Sequence, residues 1–465
     1  MVAWLFVTIF SYTTSPLYHV FGNTPDSPIF QIIGKYWAEG SIPYKDLWDL
    51  KGPFIFFVNA LGYGMTGTSA GVYGIQVISL FLTLCVVYRI LSRHFSSISS
   101  FVFTLLSLAG LSYTYEGGNL TEEYILFPLT LSFYYITRWL DKFELEHDVL
   151  HSPFHAFVYG TVLGLSLMTR LTNALSLCAA VGVITIILLW HKEYKNLLLN
   201  MLLFCIGFTI VTMPFIVYFY CHNVFTDMWN GIFMFALKYA GNSMMNLSDI
   251  GIHYFILSYL NSILLIIVSL LMLYRNNVVT VRAVLYLSSA TIPFIWFCLG
   301  NGYGHYGMTV FPLFCLAMTE IHNMKLHTLS VAISLLVIIG AASKVRFMYI
   351  MYNWENKEVS ECRQFLADVP CIDYSSFAAY ECDPNLYLAL NIRPAVPVFS
   401  LQEIGRDRIR GWDSFLTSLF QKSLPKWLLV KRYQTEDNII IQPILNKNYE
   451  MVADSNELEL YKLTK

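Results

Sequence analysis

Long apolar runs dominate the chain. Near-continuous hydrophobic stretches cover 69–91, 98–115, 122–139, 171–190, 198–220, 253–274, 283–299, 306–321 and 328–350, and weaker ones cover 1–14 and 154–169. Hydrocarbon offers no partner to backbone N–H and C=O groups, so a run of roughly 20 apolar residues predicts a spanning helix. The pattern predicts an α-helical polytopic membrane protein with about eleven spans. Pro53 to Met65 is apolar but too short to span, and reads as a re-entrant or interfacial helix. The first run begins at Met1 without a basic flank or a small-residue cleavage site, so it reads as a retained helix and not a signal peptide.

From about Tyr352 the pattern changes. Short apolar stretches (Ala395–Phe399, Trp427–Val430, Ile439–Ile441, Leu458–Leu463) alternate with charges and prolines, as in strands separated by turn formers. The chain thus divides into a membrane domain, 1–351, with a long first loop at 15–53, and a small α/β domain, 352–465.

Composition narrows the class by exclusion. Only 13% of the 465 residues are charged and 56% are hydrophobic, against about 25% charged in a soluble globular chain. Disorder needs low hydrophobicity and high net charge, and 29 basic against 31 acidic residues give no footprint for nucleic acid. Lys and Arg in the short loops set orientation. With the N-terminus in the cytoplasm, Arg89, Arg93, Arg138, Lys142, Lys192, Lys195, Arg275, Arg282 and Lys325 fall inside, and Arg170 and Lys238 fall outside. The first loop and the C-terminal domain are then extracytoplasmic. Cys221, Cys362, Cys371 and Cys382 share that oxidising side; four cysteines allow three pairings, and the sequence does not choose among them. Asn119-Leu-Thr and Asn246-Leu-Ser fit the glycosylation sequon.

The unusual polar residues gather on the external side. In the first loop, Ile29, Ile32, Ile33, Tyr36 and Trp37 recur at helical spacing, an amphipathic helix suited to the headgroup plane. Asp26 precedes it, as a helix-start acid or as a functional carboxylate. Lys51, before Gly52-Pro53, is either a snorkelling lysine or a cation beside a helix N-terminus, a combination that favours phosphate; its neighbours Asp46 and Asp49 read as solvated turn residues. In the second loop, Glu122 and Glu123 follow Thr121, where first-turn acids suit the helix dipole and a functional role is equally open. Arg170 interrupts an apolar stretch on the side that should lack positive charge; it reads as a phosphate ligand or as the partner of a buried Glu122 or Glu123. Gly300-Asn-Gly-Tyr-Gly-His-Tyr-Gly-Met then offers Tyr303, His305 and Tyr306 for hydrogen bonds and stacking on a sugar.

In order along the chain, these residues resemble the GT-C glycosyltransferases, the lineage of protein O-mannosyltransferases and lipid A aminoarabinose transferases. The resemblance rests on Asp26, on Lys51-Gly-Pro, on the acidic pair Glu122 and Glu123, on Arg170, and on His305 with Tyr306. In the tail it rests on Tyr380 to Ala395, with its Leu-Tyr and Arg-Pro-Ala elements, and on Leu458 to Lys462. It implies transfer, with inversion, of a hexosyl or pentosyl unit from a polyprenyl-phosphate donor to an acceptor hydroxyl of a glycan, lipid or protein at the external face of the cell (inner) membrane. The implied roles are Asp26 as base, Lys51 and Arg170 on the donor phosphate, Glu122 and Glu123 on the acceptor or a cation, and Tyr303, His305 and Tyr306 on the sugar or phosphate. Many relatives carry an adjacent acidic pair where this chain has Asp26-Ser27, so no cofactor is fixed and a divalent cation stays open. The rival readings are a transporter or flippase of lipid-linked glycans and a polymerase or ligase. Against a transporter, the chain shows no internal repeat.

Overall fold

The computed structural model describes residues 1–18, 26–235, 252–276, 279–299, 303–367, 369–406, 409–436 and 438–464. The Asn246 sequon, Lys238 and residues 300–302 lie outside them. All eleven apolar runs are helical, but they differ in length. Among the described residues, five helices are long and apolar enough to cross a membrane: Ser69–Leu91, Leu171–Trp190, Tyr194–Cys221, Val281–Leu299 and His327–Leu366. The helices in the other six runs are shorter: Val2–Phe10, Ser97–Leu111, Leu126–Asp141, Pro153–Leu167, Leu260–Asn276 and Pro312–Asn323. Turns shorten them where polar residues need partners, as at Tyr113–Thr121 and Arg170.

The chain forms two compact units, one made of Met1–Ser11, Gly74–Val217 and Ser243–Tyr349, the other of Tyr12–Tyr73, Tyr218–Asn242 and Ile350–Lys465. In the first, Val281–Leu299 packs against both Leu175–Trp190 and Leu260–Asn276, and Pro312–Asn323 packs on the latter. Pro312–Asn323 is buried all round up to Ile321, as expected of a central helix. At one end of this bundle Arg282 reaches Asp141 at 2.7 Å, Glu144 at 2.8 Å and Glu320 at 3.2 Å. Arg93 also pairs with Asp141. These arginines are two of those the loop-charge pattern assigns to a single face.

The second unit holds the first-loop segment and the C-terminal part. The amphipathic helix exists as Asp26–Ala38, but its apolar face does not rest on a membrane surface: Ile29, Ile32, Ile33 and Tyr36 are buried. The Pro53–Thr66 helix covers part of that face. Gly34 sets how close the two approach, since a Cβ there would lie 2.3 Å from Asn59 Cβ and 2.7 Å from the Ala60 nitrogen. Trp37 donates its indole N–H to the Tyr218 hydroxyl at 2.9 Å.

The α/β character of the C-terminal part appears as a four-stranded sheet of order β1-β2-β4-β3. Its strands are β1 (Phe377–Tyr380), β2 (Trp427–Lys431), β3 (Tyr449–Asp454) and β4 (Leu458–Leu463). β1 and β2 are parallel, and the other pairs are antiparallel. Alternation in β1 and β2 places Ala378, Tyr380, Leu428 and Val430 in one core with Trp412, Leu416, Phe420 and Ile444. Two expected strands are absent. Ala395–Phe399 contains Pro397 and follows Pro394, so it cannot donate regularly to a ladder, although Val396 and Val398 still enter the core. Ile439–Ile441 leads instead into the helix Ile441–Asn448. All nine cysteines are free thiols, so Cys221, Cys362, Cys371 and Cys382 form no disulfide.

Gly34→Ala should destabilise the protein by about 1–3 kcal/mol, the usual cost of overpacking, because the clash includes backbone that cannot swing away. Thermal unfolding in detergent checks this, with Gly64→Ala, which meets nothing within 4 Å, as the control.

Candidate functional site

The residues singled out by sequence fall into two clusters, one in each unit. In the second unit, Asp26 opens its helix and Lys51 Nζ lies 3.5 Å from its Oδ2, with the two side chains 26% and 20% exposed. The turn that carries Lys51 is tightly built. The Tyr44 hydroxyl donates to the Lys51 carbonyl at 2.7 Å, and Lys51 N–H donates to Asp49 Oδ1 at 2.9 Å. Gly52 then adopts an extended N-cap conformation and Pro53 takes the first helical position. Asp46 and Asp49 are not solvated turn residues. Asp46 accepts the Ile42 N–H at 2.8 Å. Asp49 is buried, and burial pushes its carboxyl up to about 6, although Lys51 pulls the other way.

In the first unit, Arg170 lies on an extended residue between two apolar helices and not within either. Its Nη1 is 3.3 Å from Glu122 Oε1, and its guanidinium stands 3.3 Å from the Tyr306 ring centroid, a cation–π geometry. Glu122 is 2% exposed and Arg170 22%, so the charge is held by a buried carboxylate and yet faces open space. Among the described residues Glu122 is the sole acceptor bonded to this guanidinium, which has five N–H donors.

Glu123 points elsewhere. Its carboxylate accepts from Gln76 Nε2 at 2.9 Å, from the Asn119 N–H at 2.8 Å, and from the Tyr115 hydroxyl. It fixes the second loop from inside. Asn119 is fully buried and accepts from the Tyr124 hydroxyl at 2.8 Å, so the first sequon is closed to glycosylation.

The Tyr/His-rich turn becomes a tight helical segment, Gly304–Val310. His305 Nδ1 lies 2.6 Å from Glu116 Oε2, and the Tyr254 hydroxyl donates to the other Glu116 oxygen. Burial opposes ionisation of Glu116, but the His305 charge and the His305 and Tyr254 hydrogen bonds outweigh it and hold the carboxyl below its ordinary range. Gly304 is what lets this form, because a Cβ there would meet the Tyr254 hydroxyl at 2.2 Å and Glu116 Oε1 at 2.6 Å. The Tyr303 ring stacks on His305 at 5.6 Å with a 10° tilt, and Tyr306 meets His305 edge-on at 4.6 Å. Glu116, Tyr254 and Gln76 carried no sequence signal beyond being polar in apolar surroundings. Only Glu116, beside Gly117-Gly118, lay within a segment already singled out. Among the described residues, no group of three or more His, Cys, Asp or Glu side chains is placed to hold a metal ion.

No family model matches the chain, and no curated protein resembles it closely enough in sequence to match. Solved structures do match. ArnT from Cupriavidus metallidurans in the apo state superposes with a TM-score of 0.59 over 99% of this chain and 96% of its own, at 16% identity. The same protein bound to undecaprenyl phosphate gives 0.56 over the same shares at 14% identity. The Archaeoglobus fulgidus oligosaccharyltransferase, in complex with Zn and sulfate, gives 0.50 at 14% identity over 99% of this chain and 72% of its own. The chain has the GT-C fold. That fold spans nearly its whole length and carries the small C-terminal sheet with it, as the resemblance in sequence implied. A chain with this fold and several long apolar helices is a multi-pass membrane protein.

Two outcomes follow from the site geometry. Arg170→Gln leaves Glu122 buried without its cation and should cost about 3–5 kcal/mol, whereas adding Glu122→Gln should restore most of the lost melting temperature. Asp49 has a folded-state carboxyl raised above its unfolded value. Its contribution is therefore fully present below about pH 4 and is lost as pH rises through about 6. Melting temperature followed from pH 5 to 7 should fall less steeply in Asp49→Asn.

Proposed function

We propose that this protein is an integral membrane glycosyltransferase that moves one sugar from a polyprenyl-phosphate donor to an acceptor hydroxyl. The observation that carries this reading is the GT-C fold over 99% of the chain, shared with an ArnT structure bound to undecaprenyl phosphate. The acceptor oxygen attacks the anomeric carbon, a glycosidic bond forms with inversion, the bond to the phosphate oxygen breaks, and polyprenyl phosphate leaves. The acceptor's proton goes to Asp26.

The Asp26–Lys51 pair suits that step. While Asp26 is ionised, Lys51 at 3.5 Å balances it. When Asp26 takes the proton it becomes neutral, and the positive charge of Lys51 then favours a phosphate that is gaining negative charge at that moment. A preplaced cation of this kind stabilises the transition state more than the ground state. Arg170 is likewise assigned to donor phosphate, through guanidinium donors that Glu122 does not use, with Glu122 and Tyr306 fixing its plane. We assign contact with the acceptor or a cation to the adjacent carboxylates Glu122, which accepts from Arg170 and the Thr121 hydroxyl, and Glu123, which accepts from Gln76, Tyr115 and Asn119. His305, held by Glu116, and the flanking Tyr303 and Tyr306 contact the sugar or the phosphate.

The transferred group is a hexosyl or pentosyl unit. The reaction faces the extracytoplasmic side of a cell (inner) membrane, with the N-terminus cytoplasmic and residues 352–465 forming an external domain; the loop-charge asymmetry supports this orientation.

Asp26→Asn keeps the shape of the side chain and removes the base. It should lower the transfer rate by about 10²–10⁴-fold with the melting temperature unchanged, measured on protein in lipid nanodiscs with polyprenyl-phosphate sugars. A normal rate in that variant sinks the base assignment. Failure of the wild-type protein to consume any polyprenyl-phosphate sugar sinks the reading itself.

A further inference from the structure

A polar pocket lies within the second unit, away from the residues assigned above. It is an open depression of about 290 Å³ lined by Lys35, Tyr36, Tyr374, Ser375, Asn391 and Arg393, with Glu39 as its one carboxylate. Small-molecule pockets run from about 300 Å³ upward, so this one has room for a single sugar unit and not for a lipid or a folded partner. Lys35 and Arg393 approach the same Tyr36 ring, at 5.0 and 5.5 Å from its centroid. Lys35 is further fixed by donating to the Asn391 side-chain oxygen. Asn391 itself takes a left-handed backbone conformation, φ 56°, which asparagine tolerates.

Two cations gathered on one aromatic ring repel each other, and a single carboxylate offsets only part of that. The pocket is left net positive and gains from an anion. Its other groups suit a sugar: the hydroxyl of Ser375 and the amide of Asn391 can hydrogen-bond ring hydroxyls, and Tyr374 supplies an apolar wall. Arg393 adds a planar fork matched to carboxylate or phosphate oxygens.

We propose that this cavity is an acceptor subsite that binds an acidic sugar, a pyranose carrying a carboxylate or a phosphate. The assignment of the ligand as part of an acceptor rests on the transferase reading above. The Asp26–Ala38 helix connects the two places, with Asp26 in its first turn and Lys35 in its last. Nine residues at 1.5 Å rise separate them by roughly 13 Å. An acceptor anchored here by its acidic sugar therefore presents a different sugar unit to Asp26, so the enzyme elongates or decorates an acidic glycan of more than one residue.

The test is binding, without donor, to the full-length protein in nanodiscs. Calorimetry with trigalacturonate, glucose 6-phosphate and the neutral maltotriose separates the two acids from the sugar alone. The expected result is binding of at least one acidic probe, none of maltotriose, at least tenfold weakening in Lys35→Gln and in Arg393→Gln, and weakening with added salt. Which acidic probe binds tells carboxylate from phosphate. Glu39→Gln, which removes the competing carboxylate and no tether, should tighten binding several-fold, and it keeps the test decisive should either cation variant fail to fold. Absence of binding by both acidic probes, equal binding of maltotriose, or unchanged affinity in the variants overturns the proposal. Because no donor is present, these outcomes are independent of whether Asp26→Asn abolishes transfer.

Discussion

Charge cannot be left unpaired in an apolar bundle, and most of the first unit's organisation follows from that. An ion moved out of water costs several kcal/mol even after relaxation, so the buried carboxylates and the buried Arg282 of this unit come with partners from other parts of the chain. Arg282 gathers three carboxylates from two segments, Asp141 and Glu144 from one and Glu320 from the other. Glu122 takes Arg170, Glu116 takes His305 and Tyr254, and Glu123 takes Gln76 and Tyr115. These contacts fix where helices stop: the turns at 112–125, at 168–174 and at 303–310 exist because their carboxylates and cations have to meet. The same requirement concentrates reactive groups at helix ends, which is where a lipid-linked phosphate at a membrane surface would be met.

The second unit solves a different problem. A long loop rich in Ile and aromatic residues would expose an apolar stripe, and the chain covers that stripe with its own parts. The Pro53–Thr66 helix covers one side, pressed close through Gly34. Trp48 packs on Phe235 and Trp412, which also meet each other, and its backbone N–H donates to the Pro397 carbonyl at 3.0 Å, tying the loop to the sheet domain. The helix bearing Asp26 is therefore packed against protein at residues 27–34 and at Tyr36. In the proposed transfer step Asp26 accepts a proton at a defined point, and such packing would suit that role, since small displacements of catalytic groups are costly.

The apolar runs, the change of texture near residue 352 and the clustering of polar residues were readable because each is a local pattern: hydrocarbon demands length and apolarity within one segment, and a strand demands alternation within a few residues. β2 and β4 were legible for that reason, and Asp26, Lys51, Arg170 and the His305 turn stood out as candidates because each is polar in largely apolar surroundings. β1 and β3 were not, because their residues differ little from a loop until a neighbouring strand supplies partners. The amphipathic helix at 26–38 was visible as a helix, but the period that reveals an apolar face says nothing of what covers it.

The sequence thus determined the class of protein, the approximate set of helices and the residues from which a site would be drawn, since these depend on composition and on short-range order. Folding in three dimensions settled the pairings. It sent Glu123 inward to Gln76 and Tyr115 while turning its neighbour Glu122 to Arg170, and it promoted Glu116 from a loop acid to the partner of His305. It also buried Asp49 and Asn119. Adjacent glutamates have the same local chemistry, so what separates them is which distant side chain arrives to neutralise each, and no pattern along a single stretch of chain encodes that.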